Sequence, residues 1–430
     1  MLLPKDFKFI DLFAGIGGFH CAMSKYSDNK AQCVMASEID ENARLIYENN
    51  FKIKPLGDIR KINQSDIKEP YDVVCGGFPC QTFSKAGMQK GFGDPRGTLF
   101  KEIIRLISKD KLDDQPKILI LENVRNLITH DKGITWNTIR KELIDAGYNV
   151  ANTPVVVGPK DFGIPQLRER AIILAIRKDI FDGKINFDIE KKSNNSTSIY
   201  SVVNETLDSD SLKKYKISKH EEDVLTAWDE FIHLVKYVPF ISYKEGKKKY
   251  IKKEFNGVLG FPIWAFEFKK RYNINNEQLK YPEWKKDFIT KNRLIYSYNK
   301  KAIDEWLKKW KMLKEFTHTE QKFEWQVGDS IDTVWEGIIQ FRPSGVRVKQ
   351  PTESPTLVAM VHVPIIGKYK RYITVAEAAK LQSFPLSYNL SLENDFNAYK
   401  QLGNAVNVEV IYQVFKKFVN YIDEKTEGRF

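Results

Sequence analysis

From Phe7 to about Arg177, short apolar runs alternate with amphipathic stretches, the pattern of a doubly wound α/β sheet whose strands are covered on both faces. Phe9-Ile-Asp-Leu-Phe13, Cys33-Val-Met-Ala-Ser37, Tyr71-Asp-Val-Val-Cys-Gly-Gly-Phe78, Lys117-Ile-Leu-Ile-Leu121 and Ala171-Ile-Ile-Leu-Ala-Ile176 read as strands, and Asp40–Glu48 and Leu99–Ile107 as helices between them. The alternation stops after Ile176. A polar stretch beginning Lys191-Lys-Ser-Asn-Asn-Ser-Thr-Ser198 reads as a linker or exposed loop, and a basic, aromatic segment follows it. The pattern turns helical again after Arg371-Tyr-Ile-Thr374, and Gly403-Asn404 precedes a last helix. No internal repeat is visible.

The strand ends carry the candidate chemistry, because ligands of such sheets bind outside the carboxyl ends of the strands. The first strand runs into Ala14-Gly15-Ile16-Gly17-Gly18, a glycine turn that opens a helix and lets the backbone approach a ligand. Glu38 ends the second strand, where an acidic residue about 20 positions on commonly takes ribose hydroxyls. His20 stands where a dinucleotide fingerprint has its last glycine, which points towards another adenosine-bearing cofactor. The third strand opens into Pro79-Cys80-Gln81, so the Cys80 thiol is presented in a loop rather than packed, and the fourth ends in Glu122-Asn123-Val124. A thiol and a carboxyl are thus expected in one crevice.

Composition narrows the setting. The 430 residues are 42% hydrophobic, enough for a large core, and no apolar run approaches the roughly 20 residues of a membrane span. The N-terminus carries no export signal, so a soluble, cytoplasmic protein is expected. Four cysteines without CxxC spacing and six scattered histidines indicate neither a disulfide framework nor a zinc site. Charge is uneven: residues 241–316 hold 20 Lys or Arg against 9 Asp or Glu, a surplus of 11 out of the chain's net +12. Lys247-Lys-Lys-Tyr-Ile-Lys-Lys253 lies there, with Tyr250, Trp264, Tyr281 and Trp284 among the cations, a composition suited to phosphates and bases.

In order along the chain, Phe9-Ile-Asp-Leu-Phe-Ala-Gly-Ile-Gly-Gly18, Gly77-Phe-Pro-Cys-Gln81, Glu122-Asn-Val124, Gln166-Leu-Arg-Glu-Arg170, Arg342-Pro-Ser344 and Gly403-Asn404 resemble the cytosine-5 DNA methyltransferases, most of all the bacterial modification enzymes of restriction systems. The resemblance implies a Rossmann-like S-adenosylmethionine-dependent domain, residues 1–180 completed by a hinge and C-terminal part at 372–430, with a smaller target-recognition domain inserted at 181–371. It says little about the fold of the insert.

The resemblance further implies Cys80 as the nucleophile, Glu122 on the cytosine amidine edge, and Arg168 and Arg170 beside the thiol and the base oxygen. Phe13, Gly15, Gly17, Glu38, Ile39, Asp58, Ile59, Pro79, Leu99 and Asn404 match positions that contact S-adenosylmethionine; Ile39 replaces a tryptophan found in some relatives. Gln81 to Leu99 resembles the family's catalytic loop. The implied substrate is double-stranded DNA, with no obligate protein partner, a monomeric state, and a cognate restriction endonuclease acting on the same sequence. A tRNA cytosine-5 methyltransferase shares the thiolate chemistry, but its Cys-Phe-Thr element is absent. A zinc base deaminase would need PCxxC, and position 83 is Phe. A DNA-binding pseudoenzyme would have lost the site, whereas Cys80, Glu122, Arg168 and Arg170 are all in place.

Overall fold

In the computed structural model, the described residues are 2–79, 99–108, 112–191, 197–203, 209–244, 247–275, 280–357, 362–390 and 394–428. They form two compact units, Met1–Thr197 with Thr356–Val361 and Val375–Phe430, and Ser198–Pro355 with His362–Thr374. The first unit extends past the 180 boundary read from the sequence. Ile185 and Ile189 are buried, and Phe187 packs its ring against Phe418 of the last helix, 5.5 Å between centroids.

The first unit is built on a seven-stranded sheet. Strands β1 (Lys8–Leu12), β2 (Gln32–Ser37), β3 (Val73–Gly77) and β4 (Ile118–Val124) run parallel in the order β2-β1-β3-β4. Their apolar runs are nearly continuous because helices cover both faces. The Arg170–Arg177 strand, whose direction the apolar pattern could not tell, lies antiparallel to β4. Its far edge pairs with β5 (Tyr148–Val150) and β6 (Val155–Val157). Since β1 lies between β2 and β3, the strand order reverses there, and the crevice that takes ligands opens at the carboxyl ends of these strands.

Helix α1 (Gly18–Tyr26) follows the glycine turn, and α2 (Glu41–Phe51) starts where the Asp40 carboxylate accepts the Ala43 N–H at 3.1 Å. The Val408–Lys425 helix is capped by Asn407, buries eight apolar side chains and meets the start of the chain through Phe415, 6.1 Å from Phe7. The C-terminal stretch thereby completes the layer that begins with α1.

The second unit has its own core. A six-stranded mixed sheet, ordered Ile263–Trp264, Lys322–Gln326, Gly345–Lys349, Ile338–Arg342, Ile365–Ile366 and Arg371–Tyr372, packs against the Lys219–Leu234 helix. Trp228 of that helix is fully buried and stacks on Phe323, with centroids 4.8 Å apart and planes within 5°. A separate antiparallel hairpin joins Tyr237–Lys244 to Lys247–Glu254. Among the described residues no helix is long and apolar enough to cross a membrane.

Candidate active site

The glycine turn is held from several sides. Phe13 and Gly15 have φ of +55° and +54°, and the Ala14 N–H donates to the Ser37 carbonyl at 2.9 Å, so the loop curls over the end of β2. Glu38 bridges the two strand ends: one oxygen accepts the Gly15 N–H and the other the Asp40 N–H, both at 2.8 Å. A Cβ on Gly15 would meet nothing within 4 Å, so the turn is open on that side, whereas a Cβ on Gly17 would lie 2.2 Å from the Phe51 ring. Gly15 therefore faces open space and Gly17 permits close packing.

Neighbouring predicted contacts gather around this opening. Ile39, next to Glu38, is 69% exposed, an apolar side chain left bare at the rim. The Glu38 N–H donates to the Leu56 carbonyl at 2.8 Å, which brings the Asp58 turn alongside. Asp58 caps that turn by accepting the Arg60 N–H at 3.0 Å, and its ion pair with the same arginine holds its carboxyl below the usual range. Ile59 is buried in the core beneath. Leu99 starts the Leu99–Ile107 helix and packs against the same core. Asn404 is the exposed last residue of the Asp395–Asn404 helix; just beyond it Val406 lies so close to Gly18 that a Cβ there would sit 2.6 Å from its Cγ2. An open glycine turn, a carboxylate and a bare apolar side chain together fit the adenosine portion of S-adenosylmethionine.

Two supporting groups escaped the sequence reading. The Tyr388 hydroxyl donates to the Ile16 carbonyl within the turn, from a stretch without a motif of its own. His20, noted only for interrupting the glycine pattern, stacks on Phe51 with centroids 3.7 Å apart, and its Nδ1 is 2.8 Å from the Tyr47 hydroxyl. Burial pushes its pKa down to about 3, so the ring is neutral.

At the neighbouring strand ends, the Asn123 side chain donates to the Phe78 carbonyl at 3.2 Å, fastening the backbone just before Pro79. Pro79 is half-buried; Cys80 and residues 81–98, where the catalytic loop is expected, lie outside the described residues. The chain's other three cysteines are unpaired, and burial raises all three thiols, that of Cys33 to about 12. None of these is a ready thiolate.

Glu122 stands beside Gly77 in the parallel register, with Oε2 3.5 Å from where a Gly77 Cβ would be. In the antiparallel register Val124 faces Arg170 and Glu122 faces Ile172, so Glu122 and Arg170 share a face of the sheet. Arg170 Nε is 2.7 Å from Glu122 Oε1, with the side chains 20% and 12% exposed. Arg168, expected with Arg170 beside the thiol and the base oxygen, is engaged by backbone carbonyls. Its buried guanidinium donates to the carbonyls of Leu357 (3.1 Å), Gly403 (3.2 Å) and Ala405 (2.7 Å), tying the strand end to the segment that carries Asn404. A cavity of about 10 Å³, room for one water, lies among Glu122, Arg168, Arg170 and Asn407.

In the second unit, strand alternation divides the lysine run. Lys248 and Tyr250 turn towards Asp287 of the Glu283–Tyr298 helix, which both contact and which also pairs with Lys291 at 2.9 Å. Burial pushes the Asp287 carboxyl up, but Lys248, Lys291 and the Tyr250 hydroxyl outweigh it and hold it down at about 2. Lys252 lies 3.8 Å from the Tyr237 ring centroid and Lys253 3.8 Å from that of Phe240. The run is therefore not a uniform row of phosphate ligands: Lys248 is a structural tie.

Residues 7–420 match the family model described as C-5 cytosine-specific DNA methylase. Similar curated proteins include Type II methyltransferase M.BanI of Aneurinibacillus aneurinilyticus, 31% identical over 97% of this chain and 97% of the relative, and Type II methyltransferase M.AluI of Cellulosimicrobium cellulans, 28% identical over 96% and 92%. M.HpaII of Haemophilus parainfluenzae is 47% identical, over 41% of this chain and 48% of its own. In fold, the chain is similar to a crystal structure of Spodoptera frugiperda DNMT2, with a TM-score of 0.52 at 19% identity, covering 96% of this chain and 99% of that one. With the family match running almost from end to end and the strand-end geometry in agreement, this chain belongs to the C-5 cytosine-specific DNA methylase family.

Proposed function

We propose that this DNA cytosine-5 methyltransferase modifies one cytosine within a short duplex sequence, through a covalent bond to Cys80, and protects host DNA from a cognate restriction endonuclease. Carbon 5 of cytosine is a weak nucleophile. Addition of the Cys80 sulfur to carbon 6 converts the ring into an enamine and places negative charge on it. Glu122, on the amidine edge, shares a proton with ring nitrogen 3 as that charge develops, and Arg170 orients the carboxylate through their ion pair. S-adenosylmethionine, when bound, supplies the electrophilic methyl group that carbon 5 takes. Gly15, Glu38, Ile39, Asp58 and Asn404 would hold it. Loss of the carbon 5 proton then breaks the carbon–sulfur bond and returns Cys80 as a thiolate. Because a duplex hides carbon 6 in the stack, the base is extruded first.

The observation that carries this reading is the Glu122–Arg170 pair, seated on the strand end beside the one that leads to Cys80. Arg168 acts as a positioning residue through the carbonyls it binds. Duplex DNA with 5-fluorocytosine at the target is the direct test. The wild-type enzyme should give an adduct stable in denaturing gels, because fluorine does not leave as a proton does, and Cys80→Ser should give none. An equal adduct from Cys80→Ser would assign the nucleophile elsewhere.

A further inference from the structure

In the second unit a row of rings leads inward from the surface: Trp284 is exposed, Trp264 and Phe266 are half-buried, and Phe288 packs against the hydrophobic core. Trp284, 59% exposed, meets Phe288 edge-on at 5.8 Å; Phe288 meets Trp264 at 5.8 Å; Trp264 lies nearly parallel to Phe266 at 6.1 Å; and Phe266 meets His318 at 4.2 Å. Trp264, Phe266 and Trp284 stand outside the unit's hydrophobic core, although such rings usually anchor it. Trp228, Trp306, Trp310 and Trp325 each donate their indole N–H to a protein acceptor. Among the described residues Trp264 and Trp284 have no such acceptor.

Charge identifies what would cover the row. Lys270 Nζ is 5.3 Å from the Phe266 ring centroid, and its contact with Glu267 is long, at 3.7 Å. Lys322 lies opposite Trp264 in the strand register. Both ammonium groups act on His318, lowering its proton affinity together with burial, so both stand at the same end of the row. An apolar protein partner would have to bury these charges, whereas a polyanion would use them. Flat rings beside cations suit bases and phosphates together, and paired bases have their faces covered by their own stack.

We propose that this row is a binding site for unpaired nucleotides, with bases stacking on the rings and Lys270 and Lys322 meeting the phosphates. The site goes beyond methyl transfer, since it needs neither the cofactor nor Cys80.

Binding of the full-length protein to labelled oligothymidylate, compared by anisotropy with an abasic oligomer of equal length and charge, separates stacking from charge. Oligothymidylate should bind roughly tenfold more tightly. Trp284→Ala, a change at an exposed position, and Trp284→Ala with Phe266→Leu should erase that difference while leaving the abasic oligomer's affinity unchanged. Equal binding of the two oligomers to the wild type, or an undiminished preference in the variants, would overturn the site. Neither outcome touches the assignment of Cys80, because no methyl transfer is measured.

Discussion

Arg170 reaches Glu122 because it faces Val124, two residues along the same face of an antiparallel pair, and the 2.7 Å ion pair is the product of that register. The two side chains should therefore act as a unit. Glu122→Gln should lower kcat by about 10²- to 10⁴-fold, the usual worth of a positioned proton-transfer group, with S-adenosylmethionine affinity unchanged. Arg170→Leu should cost less in Glu122→Gln than in the wild type, with a coupling of at least about 1 kcal/mol in barrier. Additive losses in a double-mutant cycle of single-turnover rates would mean that the residues work separately.

Arg168 should matter to stability as well as to rate. Replacing it with Met removes the donor from three carbonyls, those of Leu357, Gly403 and Ala405, and should cost about 3 kcal/mol or more in urea unfolding. Arg168→Lys should recover only part of this, because an ammonium lacks the planar fork. Cofactor affinity should fall in both variants, since Asn404 lies between two of the bound carbonyls. Wild-type stability in Arg168→Met would show that the carbonyls find other donors.

His20 gives stability a pH dependence whose sign is determined. Its pKa is about 3 in the fold against about 6.5 in an unfolded chain, so the unfolded state takes up the proton first as pH falls. The neutral ring's contribution is fully present above pH 6.5 and is lost progressively towards pH 3. Between pH 7.5 and 5 the loss should be about 2 kcal/mol. Urea midpoints for wild type and His20→Gln across this range should show a shallower slope in the variant; identical slopes would place the titration elsewhere.

The hairpin lysines should separate by face. Lys248→Ala removes a partner of Asp287 and should loosen the hairpin from the Glu283–Tyr298 helix, lowering thermal stability. Lys249→Ala, on the opposite face beside Ser242, should leave stability alone and reduce the salt dependence of DNA binding on any sequence, since phosphate contacts carry no base information. Binding isotherms over a salt series check this. An unchanged slope for Lys249→Ala would make that lysine a solvated surface residue.

The sequence by itself determined five strands of the first unit, where they end and what chemistry stands at their ends, but not the strands of the second unit. An apolar run broken by glycine or by a single carboxyl is a local signal, and Gly15, Glu38, Pro79 and Glu122 all stand at such breaks. Cys80 rests on that signal and on resemblance. Tertiary structure decided what each polar group touches. Arg168 and Arg170 sit two positions apart, yet one binds carbonyls 189, 235 and 237 residues away while the other pairs with Glu122 across a strand. Tyr388 reaches the glycine turn from 372 residues further along the chain. The lysine run looked uniform until strand alternation sent Lys248 to Asp287 and Lys249 to the other face. Periodicity records burial, which neighbours in sequence share. Hydrogen-bond partners are chosen by register and chain crossing, and these exist only once the sheet has formed.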